Sequence, residues 1–128
     1  MEQIVDTNII LRYLVGDDKQ QQQEANVLFQ KAEKGITSLL IKPLIIAEAC
    51  FVLESFYKKS REEIADTFEV FLSQKWLRVE ERETMLILWN WYKRNFHFVD
   101  SYLLSWAKLT NGKIASFDQR LLRNLDNK

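Results

Sequence analysis

Short apolar or β-branched runs alternate with longer stretches of helical spacing along this chain. Ile4-Val5 opens the first run and stops at Asp6-Thr7-Asn8, a capping sequence, after which Ile9 to Leu14 reads as a helix. Ala25, Leu28, Phe29 and Ala32 follow the i, i+3, i+4, i+7 rule, and their helix ends at Gly35. The polar run Lys19 to Gln23 leads into it as a solvated first turn. Ile36 to Ile41 is a second strand candidate, bounded by Gly35 and Pro43, and Trp76 to Glu80 is another. Ser60-Arg61-Glu62-Glu63 fits a capping box with Ile64, Phe68, Phe71 and Leu72 as the apolar stripe behind it. Thr84 to Asn95 and Asp100 to Thr110 read as two more helices. Ile114 to Phe117 then reads as a strand after Asn111-Gly112, and Gln119 to Leu125 as a last helix.

Strands that alternate with longer helices imply parallel pairing through helical crossovers, with the sheet covered on both faces. The expected fold class is α/β, as one domain over residues 1–128. With 128 residues, 47% of them hydrophobic, the chain has material for a core and is too apolar to be disordered. Eighteen Lys and Arg balance eighteen Asp and Glu, so the basic excess that marks many nucleic-acid binders is missing. A lone cysteine, Cys50, points to a reducing compartment and packs as a small hydrophobe. No run approaches the roughly 18 apolar residues of a membrane span. Met1-Glu2-Gln3 does not open a signal peptide, so a soluble, cytoplasmic protein is expected.

The acids change this picture. Most of the seven Asp and eleven Glu fit solvated faces or caps. Asp17-Asp18 precedes a helix, Glu62, Glu63, Asp66 and Glu69 line a polar face, Glu80, Glu81 and Glu83 form a connection, and Asp126 lies in a terminal tail. Four others resist that reading. Asp6 and Asp118 each follow a predicted strand, at the edge where open α/β sheets bind ligands. Glu48 is the only charge in Leu44 to Leu53, a helix so apolar that nearly every face should be covered. Asp100 opens a helix after Phe96-His97-Phe98-Val99, where an N-cap role would also account for it. Together the four suggest one acidic pocket. Two like charges about 4 Å apart repel by about 4 kcal/mol at an effective dielectric near 20, so such a pocket takes up protons or binds a cation. With His97 and Cys50 the only residues of their kinds, an all-oxygen site suits Mg²⁺ or Mn²⁺ and not zinc. Carboxylate-held magnesium acts on phosphates.

These residues resemble the PIN-domain nucleases, and among them the VapC-type toxins of type II toxin–antitoxin pairs. The resemblance runs through Ile4 to Leu14, Ala47-Glu48, Phe98-Val99-Asp100 and Ser116-Phe117-Asp118 with Arg120-Leu121-Leu122 behind it. It implies a three-layer α/β/α sandwich whose acids hold Mg²⁺ or Mn²⁺ and cut RNA phosphodiesters. Asp6 and Asp100 would be the principal ligands, Glu48 and Asp118 would complete the set, and Thr7, Asn8 and Ser116 would support them from behind. Ser116 stands where the family usually has Thr, and Ser101-Tyr102 where small apolar residues are common. A cognate antitoxin protein and a homodimer are the implied partners. Two readings compete. A receiver-like, magnesium-binding signalling domain is disfavoured because Thr7-Asn8, not a second acid, follows Asp6, and no Lys follows the last strand where such a site needs one. A catalytically inactive PIN-like module that binds RNA or protein is opposed by the presence of all four acids. Trp89, Trp91 and Trp106 read as core or interface, Lys42, Lys58, Lys59, Arg61 and Arg94 as surface, and His97 as structural.

Overall fold

The computed structural model describes residues 1–126. Asn127 and Lys128, the end of the expected domain span, lie outside the described residues. The chain forms two units, Met1–Lys58 with Gln74–Glu80, and Lys59–Ser73 with Glu81–Lys128.

The first unit holds a parallel three-stranded sheet in the order β1-β2-β3, with β1 Glu2–Ile4, β2 Ser38–Ile41 and β3 Arg78–Val79. Glu2 pairs with Ser38 and Ile4 with Leu40 on one side of β2; Leu40 pairs with Arg78 and Ile41 with Val79 on the other. The N–H of Val5 donates to the Leu40 carbonyl and that of Glu80 to Ile41, each at 3.0 Å, so the ladder runs one residue past the strands. Leu39 and Ile41 of the central strand are fully buried. Helices α1 Thr7–Leu14, α2 Lys19–Glu33 and α3 Pro43–Ser55 flank the sheet, giving the α/β class expected from the alternation. Asp18 caps α2 by accepting from the Gln21 N–H at 3.0 Å, so the glutamine run is the first turn of a helix. Pro43 takes the first turn of α3, where its missing N–H costs nothing.

The second unit is helical: α4 Arg61–Leu72, α5 Arg82–Ile87, α6 Trp89–Tyr92, α7 Phe98–Thr110 and α8 Gln119–Asp126. Ser60 caps α4 by accepting from Glu63, as the capping-box pattern predicts. Trp89 is buried and stacks on Phe68 with ring centroids 5.4 Å apart. Trp91, Phe96, Leu104 and Leu121 form a buried cluster against which Ile114 packs. The core reading of Trp89 and Trp91 therefore holds, while Trp106 is partly exposed.

Several expectations are corrected. Ile114 to Phe117 is not a strand: Ile114 packs inward, Phe117 is exposed, and the Ser116 hydroxyl accepts the Asp118 N–H at 2.9 Å. That local turn bond takes the place of a ladder bond. Asp118 thus follows a turn and not a strand. The helix read over Thr84 to Asn95 is two, broken at Leu88, and Asn95 adopts a left-handed φ of 70°. Helix α7 begins at Phe98, so Asp100 lies in its first turn and His97 holds the cap position. Asp126 closes α8 and is not in a tail. Finally, α3 is not covered all round: Leu44 is 76% and Phe51 69% exposed, and Glu48 lies on that open side. A helix can be apolar all round and still meet packing partners on only part of its circumference.

Candidate metal centre

In the first unit, Asp6 sits two residues past β1 in extended backbone and caps α1, its Oδ1 accepting the Ile9 N–H at 3.0 Å. The sequence builds this directly, because a short side-chain oxygen at the junction of strand and helix satisfies one of the helix's orphan donors. Thr7, the first residue of α1, is buried, and its Oγ1 donates to Glu48 Oε1 from α3. That bond brings Glu48 to the first turn of α1, which Asp6 caps. Asn8 is exposed beside them. At the same carboxyl edge of the sheet, Lys42 and Glu80 follow β2 and β3 and pair at 2.7 Å.

In the second unit, Asp100 is half-buried in the first turn of α7. Asp118 is exposed and caps α8, its Oδ1 accepting the Leu121 N–H at 3.1 Å. Three of the four acids thus stand at helix N-termini, where orphan backbone N–H groups await an acceptor.

The charge environment separates these acids from many others. Among the described residues, none of Asp6, Glu48, Asp100 and Asp118 is ion-paired with Lys or Arg. Asp17 pairs with Arg12, Glu63 with Lys59, Glu2 with Arg78, and Asp66 and Glu69 both with Lys93. Titration is displaced for Asp17 and Lys93. The hydroxyl of Tyr57, together with Arg12, holds the Asp17 carboxyl below the usual carboxylate range. Glu69 and then Asp66 raise Lys93. Within each unit, among the described residues, no three or more His, Cys, Asp or Glu side chains group to hold a metal ion. The first unit supplies Asp6 and Glu48, the second Asp100 and Asp118. By their chemistry, carboxylate oxygens suit a hard divalent cation of the magnesium or manganese kind; Thr7 donates to one of them, Glu48, while the Ser116 hydroxyl accepts the backbone N–H of Asp118.

Two arginines hold the turn before α7, which corrects the surface reading of Arg61 and gives Arg120 a contact that its place in the motif does not indicate. Arg61 donates to the Tyr92 and Phe96 carbonyls, and Arg120 to those of Arg94 and Asn95. Nothing in their spacing marks them, because each acts on a turn distant in sequence. A family model described as the PIN domain matches residues 4–128. No curated protein and no solved structure matches the chain.

Proposed function

Because this chain belongs to the PIN domain family, whose members are generally magnesium-dependent nucleases, we propose that it is an endoribonuclease acting as the toxin of a toxin–antitoxin pair. The observation that carries this reading is the set of four carboxylates in no ion pair with Lys or Arg among the described residues, in a chain matched by the family over 4–128. The match leaves the receiver-like reading without support.

Asp6 and Asp100 would hold Mg²⁺ or Mn²⁺, with Glu48 and Asp118 completing the set. When bound, such an ion neutralises phosphate charge and makes water a better nucleophile. The protein's own part is positional. Thr7 donates to Glu48 and so turns its carboxylate toward the start of α1, while the caps made by Asp6 and Asp118 tie each of those residues to a helix. With one histidine in the chain, carboxylate oxygens are the natural acceptors for the proton that the attacking water releases. We further propose a cytoplasmic homodimer inhibited by an antitoxin that presents an Arg to the acids. No helix among the described residues is long and apolar enough to cross a membrane. The exposed Leu44 and Phe51 of α3 support an associating surface.

The test is cleavage of RNA by the purified protein. Cleavage is expected with Mg²⁺ or Mn²⁺ and lost in EDTA. Asp100→Asn should lower the rate by more than the roughly 100-fold that losses of supporting groups reach. Glu62→Gln, on an exposed turn, should be unchanged. Full activity in EDTA overturns the metal mechanism, and RNA binding without cleavage favours the inactive module.

A further inference from the structure

With Ile114 to Phe117 outside any sheet, the segment bearing Asp118 is held within the second unit by apolar contacts on either side of it. Leu121 is buried with Trp91, Phe96 and Leu104, and Ile114 packs against the same cluster. Apolar burial holds a segment down but sets its orientation only loosely, since it has no direction. Arg120 supplies direction. Its Nη2 donates to the Arg94 carbonyl at 2.9 Å and its Nη1 to the Asn95 carbonyl at 3.3 Å. The guanidinium carbon lies 3.8 Å from the centroid of the Phe96 ring. Two carbonyls and an aromatic face define a plane, and a planar fork of donors fits it in one way.

The turn that Arg120 grips leads straight into α7. Asn95 reverses the chain there with a left-handed φ of 70°, and the N–H groups of Arg94, Asn95 and Phe96 bond back to Trp91 and Tyr92. Arg61 grips the same turn, donating to the Tyr92 carbonyl at 3.1 Å and to that of Phe96, with its guanidinium 4.5 Å from the Tyr92 ring centroid. Ser101 Oγ donates to the His97 carbonyl at 2.8 Å and ties the turn to the helix it opens. Asp100 stands in that first turn. We propose that Arg120 is a positioning residue that locks the start of α8, and with it Asp118, to the turn that sets Asp100. This rests on the metal-nuclease reading above and adds to it a residue that touches neither metal nor substrate.

The sign of the effect distinguishes positioning from charge. Arg120 lies two residues from Asp118, so removing its positive charge should by Coulomb's law strengthen cation binding. Loss of the clamp should weaken it. Mn²⁺ affinity is to be measured by calorimetry without RNA on wild type, Arg120→Met, Arg120→Lys, Asp118→Asn and the double variant Asp118→Asn/Arg120→Met, with thermal melts confirming that each is folded. Arg120→Met keeps an apolar stem over Phe96 and is expected to bind Mn²⁺ about 10- to 100-fold more weakly. Arg120→Lys keeps the charge without the planar fork and should also weaken binding. In the Asp118→Asn background, Arg120→Met should add less than about twofold, because the ligand it positions is already gone. Unchanged or tighter Mn²⁺ binding by Arg120→Met overturns the clamp, as does an equal loss in both backgrounds. A wild type that binds Mn²⁺ while Arg120→Met differs only in KM for RNA also overturns it, making Arg120 a phosphate contact. A wild type that binds no Mn²⁺ overturns the metal-nuclease reading itself, and the clamp's role with it.

Discussion

Asp6 and Asp118 are each assigned two duties, capping a helix and holding a cation, and the two can be separated chemically. Asn caps as well as Asp does but brings no charge. Asp6→Asn should therefore leave metal-free stability at or above wild type, whereas Asp6→Ala should cost about 1 kcal/mol. Thermal melts in EDTA check this, and an Asn variant as destabilised as the Ala variant would show the charge itself to be needed for the cap. Thr7 has a different duty. It is buried and spends its hydroxyl on Glu48, so Thr7→Val should weaken metal binding about 10- to 100-fold while the fold survives. Asp6 and Glu48 stand out in the sequence because a charge after a strand, or alone in an apolar run, violates the local pattern, whereas Asp118 stands out through a strand that the structure replaces with a turn. Arg120 was not legible, since capping a distant turn leaves no local irregularity.

At the scale of elements, spacing and composition marked the helical regions among the described residues, with α5 and α6 read as one. They misplaced the ends, because caps and turn bonds set those. Thr84 to Asn95 reads as one helix on spacing alone, yet Leu88 interrupts it and Lys93 to Asn95 belong to the turn that Arg61 and Arg120 hold. Ile114 to Phe117 has strand composition, but strand formation needs a ladder partner, which composition does not specify. The junction of α1, α2 and α3 shows what side chains add. Arg12 Nη1 reaches Asp17 and Tyr57, each at 3.1 Å, and Tyr57 Oη donates to Asp17 at 2.7 Å. Tyr57, and Arg12 with it, lower the Asp17 carboxyl, so the stabilisation is present above the ordinary carboxylate pKa of about 3.9 and is lost as pH falls through the folded value. Tyr57→Phe should be less stable than wild type at neutral pH, and the gap should narrow below about pH 4. Urea midpoints at pH 7 and pH 3 measure it; a gap independent of pH would place the effect in packing instead. The open side of α3 is a further contrast. Phe51→Ser should change stability by less than about 0.5 kcal/mol, whereas Trp89→Ala, inside the second unit's core, should cost about 3 to 5 kcal/mol.

For the molecule as a whole, the proposed metal-nuclease reading has one consequence: replacing any one of the four acids should blunt the protein's response to a divalent cation. A ligand that binds only the folded state at a hundredfold excess over its Kd stabilises it by about 2.7 kcal/mol, which for a chain this size raises Tm by several degrees. The decisive measurement is the Mg²⁺- or Mn²⁺-induced rise in Tm for wild type, Asp6→Asn, Glu48→Gln, Asp100→Asn, Asp118→Asn and Glu62→Gln. A clear rise is expected in wild type and Glu62→Gln, with its near loss in each of the other four. No rise in wild type would contradict the metal-nuclease reading, as would a rise that Asp6→Asn and Glu48→Gln abolish while Asp100→Asn and Asp118→Asn retain it in full.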